Sequence, residues 1–252
     1  MINVNDIYLD TLDRINESDN GQLSIDRFNR YSWIAQLNML DWLSGDISAK
    51  TPATRYSAQQ STPEPYETQK DKDWLSPFIT PYPVQVVLGQ IAKPPDYYQF
   101  ENMYLLGQFN EQTNCIEQIT ATGVNCNTSI ELLDGDKYTD RCETYITRLQ
   151  PSFVRPISKL VGNNFIFNPT DLGSITLEYI RYPKRATLKT VLDPVYNNQV
   201  YDPVNSVDFE WGEYARSILV WFIADLYFNF TREQSGKQFN EATGATVRDK
   251  KL

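Results

Sequence analysis

Between Phe209 and Phe230 the chain places Phe209, Trp211, Tyr214, Ile218, Leu219, Val220, Trp221, Phe222, Ile223, Leu226, Tyr227, Phe228 and Phe230, and only Arg216 and Asp225 bring charge to the centre of the run. Asp208 stands where an N-cap would stand, so the segment predicts one helix from there to about Thr231. A helix apolar on every side must be covered on every side. At ~25 cal/mol per Å2, a few hundred Å2 of it left in water would be a heavy liability. Two covers are available: the rest of its own subunit, or a neighbouring subunit to which the helix is presented. Seven of these residues in a row, Ile218 to Ala224, form the longest apolar stretch, far short of the ~20 needed to span a bilayer.

The N-terminal part is helical by the same reasoning. Val4, Ile7, Leu12 and Ile15 have roughly helical spacing, and Asp19-Asn20-Gly21 breaks the pattern. Ser24 is a cap for a second helix carrying Ile25, Phe28, Tyr31, Ile34, Ala35, Leu37, Met39, Leu40 and Leu43, which Ser44-Gly45 should end. From there to residue 76 Ser, Thr, Gln, Lys and Pro dominate, and eight of the 14 prolines fall between Pro52 and Pro95. This predicts an extended connector with little helix.

Short strands are expected next, at Pro83–Ile91, Tyr97–Phe109, Cys115–Thr122, Ser129–Leu133, Arg141–Leu149, Asn164–Phe167, Ser174–Tyr182 and Thr187–Leu192, with a tight turn at Asp134-Gly135-Asp136. The resulting fold class is α+β: an N-terminal helix pair and a long aromatic C-terminal helix around a central antiparallel β-sandwich-like domain. The boundaries read as a helical segment 1–45, a Pro-rich connector 46–82, a β domain 83–205, a helix 206–232 and a polar arm 233–252. That arm holds Lys237, Arg248, Lys250 and Lys251 against Glu241 and Asp249, a basic end on an acidic chain. It reads either as a disordered terminus or as an arm that docks on an acidic neighbour.

Composition narrows the chemistry. The chain has no histidine, which removes Ser-His and Cys-His nucleophiles and His-ligated zinc. Its net charge of −9 argues against gripping nucleic-acid phosphates. Cys115, Cys126 and Cys142 form no CxxC spacing and read as free thiols. The N-terminus has no basic segment followed by an apolar run, so a cytosol-like compartment is expected. Asn16–Arg27 has calcium-loop spacing around Gly21, but Arg27 occupies the position that needs a bidentate carboxylate, so no metal is expected there. No phosphate-binding glycine loop occurs. Asp134, Asp136, Asp140 and Glu143 could supply a carboxylate pair for glycoside hydrolysis; Asp at a turn is also ordinary turn chemistry. Exposed Tyr and Trp could form a sugar-binding platform on a monomeric β domain.

The order of these elements carries a resemblance. So do three stretches: Gly21-Gln22-Leu23-Ser24-Ile25-Asp26-Arg27-Phe28-Asn29-Arg30-Tyr31 leading into Ala35-Gln36-Leu37; Pro151, Arg155-Pro156-Ile157, Phe165-Ile166-Phe167-Asn168-Pro169 and the run from Ile175 to Pro183; and the Phe209–Phe230 segment followed by Thr231-Arg232-Glu233. Together they resemble the head-to-tail connector (ring or adaptor) structural proteins of tailed phages, in particular those of crAss-like phages. The resemblance implies a virion protein assembled in the host cytoplasm, without enzymatic activity or cofactor. It would form a homo-oligomeric ring of about twelve copies, touching the portal and adjacent tail rings, with double-stranded DNA only as non-specific cargo in its lumen and no membrane partner. A ring contact is heterologous and needs two different sticky faces on one chain. Phe28, Tyr31, Ile34 and Trp42 from the N-terminal helix, with Trp211, Tyr214, Trp221 and Phe222 from the C-terminal one, are the candidates for subunit contacts. Lys237, Arg248, Lys250 and Lys251 are the candidates for docking of the arm.

Overall fold

A computed structural model describes residues 1–19, 23–56, 73–105, 108–110, 115–117, 128–144 and 150–231. The chain divides into two compact units, one of Met1–Pro77 with Pro183–Leu252 and one of Phe78–Tyr182. The α+β class expected from the sequence is the class observed, with the longest helices in the first unit and the two larger sheets in the second.

In the first unit, helix α1 spans Val4–Asp19 and helix α2 spans Ile25–Tyr56. Asn3 caps α1, its Oδ1 accepting the Asn5 N–H at 2.8 Å. Ser24 takes the cap position of α2, its Oγ lying 3.5 Å from the Arg27 N–H, at the outer limit of a hydrogen bond. The expected stop at Ser44-Gly45 does not occur. The Ser44 hydroxyl turns back to donate to the Leu40 carbonyl at 2.7 Å, and a mid-helix glycine costs only ~1 kcal/mol relative to alanine. The helix runs on through Pro52, so the connector expected at 46–82 begins as helix; its residues 57–72 lie outside the described ones.

The sheet unit runs from Phe78 to Tyr182, and its first strand begins at Ile79, earlier than the expected 83. Its strands are β1 (Ile79–Gln85), β2 (Gln90–Ala92), β3 (Tyr97–Leu105), β4 (Gln108–Asn110), β5 (Cys115–Glu117), β6 (Thr128–Ser129), β7 (Glu131–Leu132), β8 (Ile157–Val161), β9 (Asn164–Asn168) and β10 (Ser174–Arg181). One sheet has the order β1-β10-β3-β6 and another β2-β9-β8-β7. All pairs in them are antiparallel except β7 with β8, which is parallel. Pro81 and Pro83 are tolerated because β1 is an edge strand: both lie opposite alternate residues of β10, Glu178 and Thr176, and share one side of the strand. Leu88 and Gly89, both at positive φ, make the two-residue turn between β1 and β2, closed by Val87 and Gln90 exchanging backbone bonds at 3.1 Å. A side chain at 89 would meet Thr170 Cγ2 at 2.7 Å, so only glycine fits. Ile91, Met103, Leu105, Phe165, Phe167 and Leu177 are buried in one core to which both sheets contribute.

Two further expectations are overturned in this unit. Asp134-Gly135-Asp136 is not a hairpin turn but the start of helix α3, Gly135–Glu143. The strand expected at Arg141–Leu149 therefore begins inside that helix, and 145–149 lie outside the described residues. Burial of Tyr138, with Lys159 of β8 4.5 Å above its ring, ties α3 to the sheet.

In the first unit, β11 (Thr190–Leu192) and β12 (Gln199–Tyr201) pair, among the described residues, only with each other, so the β domain does not extend to 205. Helix α4 spans Arg216–Thr231 after a 3-10 turn at Glu213–Ala215. Its end is where the sequence places it, but Asp208 does not cap it. The Asp208 carboxylate instead accepts the Val4 N–H of α1 at 2.9 Å, and Ile2 and Phe209 exchange backbone bonds at 3.0 Å beside it. A cap placed by tertiary pairing across the chain has replaced the local one. Arg216 then locks α4 to α1 with a two-pronged bond to Asp10, Nε–Oδ2 2.6 Å and Nη2–Oδ1 3.1 Å.

Candidate interaction surface

Helix α4 is the apolar helix of the sequence, and most of it is covered by its own chain. Ile218, Leu219, Val220, Trp221, Ile223, Ala224, Tyr227 and Phe228 are buried, with α1 and α2 both packed against the helix. The positions that escape are Phe222, Leu226 and Phe230, at i, i+4 and i+8 on one stripe. Phe222 and Leu226 are half-buried, and Phe230 is 60% exposed.

This sorts the eight candidate contact residues. Phe28 and Trp211 are fully buried and Tyr31 and Trp221 are buried, so these four spend nearly all their apolar surface inside the subunit and have little to offer a neighbour. Phe28 packs edge-on against Tyr8 at 5.0 Å. Ile34, Trp42 and Phe222 are half-buried and Tyr214 is exposed. Tyr214 stacks on Trp74 at 4.8 Å, and its hydroxyl donates to the Trp74 carbonyl at 2.9 Å. Trp42 meets Phe222 at 6.5 Å while Tyr31 meets Phe230 at 6.3 Å, so α2 and α4 run antiparallel along the stripe. The Arg27 guanidinium sits 5.1 Å over the Phe230 ring and closes one end. The arm candidates Lys237, Arg248, Lys250 and Lys251 lie outside the described residues.

A second apolar surface, on the hairpin formed by β11 and β12, was not among the candidates. Val195, Tyr196 and Val204 are 76, 77 and 85% exposed, and Val191, Leu192, Val200 and Val207 are exposed with them. Its two turns repeat one device. In Asp193-Pro194-Val195 the carboxylate accepts the Val195 N–H at 2.7 Å; in Asp202-Pro203-Val204 it accepts the Val204 N–H at 3.0 Å and the Asn205 N–H at 3.2 Å. The Asn205 side chain also donates to Asp202 at 2.6 Å; this bond is the first cause holding the Asp202 carboxyl below its ordinary range. The repeated Asp-Pro-Val triplet was the signal available in the sequence.

The acids weighed for hydrolysis, Asp134, Asp136, Asp140 and Glu143, all lie at the start of α3 or on it and are exposed. Asp134 is paired with Lys137 at 3.7 Å. Cys142 is a free, exposed thiol that accepts a bond from the Asn168 amide at 3.2 Å. Among the described residues no group of His, Cys, Asp and Glu is arranged to hold a metal ion, and no helix is long and apolar enough to cross a membrane. Neither a protein-family model nor a curated protein matches the chain.

Proposed function

We propose that this chain is a virion structural protein that assembles as a homo-oligomeric ring in the portal-to-tail connector of a tailed phage. The observation that carries the reading is that a single unit exposes two different apolar surfaces, the α2/α4 stripe and the β11–β12 hairpin. Closed head-to-tail rings need that pair of non-equivalent faces. Charge is consistent with the role: about twelve copies at −9 each would carry about −108, and a lumen of that sign lets a DNA backbone slide without sticking. The portal and an adjacent tail ring are the expected neighbours.

Mass photometry of the full chain, alone and mixed with portal from the same particle, tests this. A multimer of about twelve subunits, or a complex with the portal, is expected. A particle of one 29.2 kDa subunit under both conditions overturns it. A single subunit whose melting temperature rises with added saccharide would point instead to a carbohydrate-binding module.

A further inference from the structure

We propose that residues 187–207 of one copy pack on the α2/α4 stripe of a second copy, so that hairpin and stripe are the two halves of one contact. The inference rests on the ring reading and names the surfaces that would build it. Three observations lead to it.

The first is area. Over both faces and the turns, the seven exposed apolar side chains of the hairpin amount to on the order of 700 Å2, against the ~800 Å2 per partner of a standard stable interface.

The second is the absence of the usual guards. Exposed strand edges are normally blunted by Lys or by proline within the strand. From Thr190 to Val207 there is no Lys, Arg or Glu. The two prolines sit in the turns, and both aspartates accept backbone N–H groups there. From Thr190 to Val207 the hairpin carries only the two negative charges of Asp193 and Asp202, both directed into the turns, and it is pre-shaped, which lowers the ordering cost of docking. A mildly acidic, pre-shaped apolar surface fits an apolar stripe closed at one end by the Arg27 guanidinium.

The third is direction. Asn29 of α2 clasps the base of the hairpin, its Oδ1 accepting the Leu188 N–H at 2.7 Å and its Nδ2 donating to the Leu188 carbonyl at 2.9 Å. At 3.6 residues per turn, Asn29 lies about 180° round α2 from the centre of the stripe marked by Arg27, Tyr31, Ile34 and Trp42. The hairpin is thus held on one side of α2 and the stripe opens on the other. Surfaces on opposite sides of one element cannot meet within a copy, but they meet between copies and repeat from one subunit to the next.

The test uses the full chain in two variants, a hairpin variant (Val195→Asp with Tyr196→Asp) and a stripe variant (Leu226→Gln with Phe230→Asp). Both sets of positions are exposed or half-buried, and circular dichroism melts matching wild type establish folding before assembly is read. By mass photometry and sedimentation, each variant alone should need at least tenfold more protein than wild type to assemble. Mixed one to one, they should form a dimer and stop there, since the intact hairpin of the stripe variant meets the intact stripe of the hairpin variant once. If either variant assembles like wild type, or if the mixture stays monomeric while wild type assembles, the contact is wrong and the ring reading stands. If wild type itself remains single at hundreds of micromolar with and without portal, both fall.

Discussion

The unit Phe78–Tyr182 and the unit built from Met1–Pro77 and Pro183–Leu252 treat their apolar residues differently. In the first of these, the largest side chains converge on one core shared by two sheets. Its exposed apolar residues sit mainly at turns, such as Val87-Leu88 before Gly89 and Leu160-Val161 before Gly162. The helical unit also has a full core, around Phe28, Trp211, Phe209 and Phe228, yet it keeps a stripe and a hairpin of apolar surface as well. A chain rich in aromatics need not be sticky everywhere: core demand is met in both units, and among the described residues the larger exposed apolar surfaces belong to the helical one.

A core deletion in one unit should have the largest effect. Phe167 is buried among the sheets, and Phe167→Ala should cost about 3–5 kcal/mol. Hydrogen exchange should then accelerate in β2, β3, β9 and β10 while α1, α2 and α4 keep wild-type protection. Equal acceleration in the helices would show that the two cores are not separate.

Alkali should discriminate the units without mutation. Burial pushes the phenols of Tyr97 and Tyr179 up to about 12, and for Tyr179 the bond from its hydroxyl to Asp96 Oδ1 at 2.8 Å adds to the rise. A raised pKa means that the folded state holds its proton longer than the unfolded one. The stabilisation is therefore complete below pH ~10, where the unfolded phenol still keeps its proton, and is lost as pH climbs towards 12. Tyrosinate absorbance should rise together with loss of the sheet signal; ionisation of both residues well below that window, with the sheet intact, would contradict the burial.

In the helical unit the weak point is polar. Gln36 of α2 is fully buried, and among the described residues neither its Oε1 nor its Nε2 has a hydrogen-bond partner. Gln36→Met keeps the length and removes both unmet groups, so the variant should be more stable by about 1–3 kcal/mol in urea unfolding. A loss of stability would mean that the amide has a partner in solution.

How much of this could be read beforehand follows from the range of the interactions. Helical periodicity showed Val4, Ile7 and Ile15 on α1 and Phe28, Tyr31, Ala35, Met39, Leu40 and Leu43 on α2, all buried, while Leu12, Ile25, Ile34 and Leu37 of the same pattern are only half-buried. Ile175, Leu177 and Tyr179 marked β10, although bulges after Glu178 and Ile180 and burial on both faces spoil a simple alternation. The parallel pairing of β7 with β8 rests on two residues per strand and leaves no periodicity to detect. Of the contact residues, the sequence identified apolar mass correctly but could not say which side of a uniformly apolar helix its own chain would cover. Burial decided that for Trp221 and left Phe222 beside it half-exposed. The expected strand Thr187–Leu192 contains β11, but the three residues of β12 give too short a pattern to detect, and the exposed valines around them look like core.

Asp208 is the smallest effect and the cleanest case of the same problem. By local rules it should cap the helix that follows it; in the fold it takes the first N–H of a helix 204 residues earlier in the chain, beside the Asn3 cap. Asp208→Ala should therefore cost about 1 kcal/mol, with faster exchange at the Val4 amide and none at the start of α4. If protection is lost from Arg216 onward instead, the local reading was right and the long-range cap is wrong. Retained protection at Arg216 together with fraying of α1 would show the N-terminus pinned by the far end of the same unit, which is also where the hairpin is rooted.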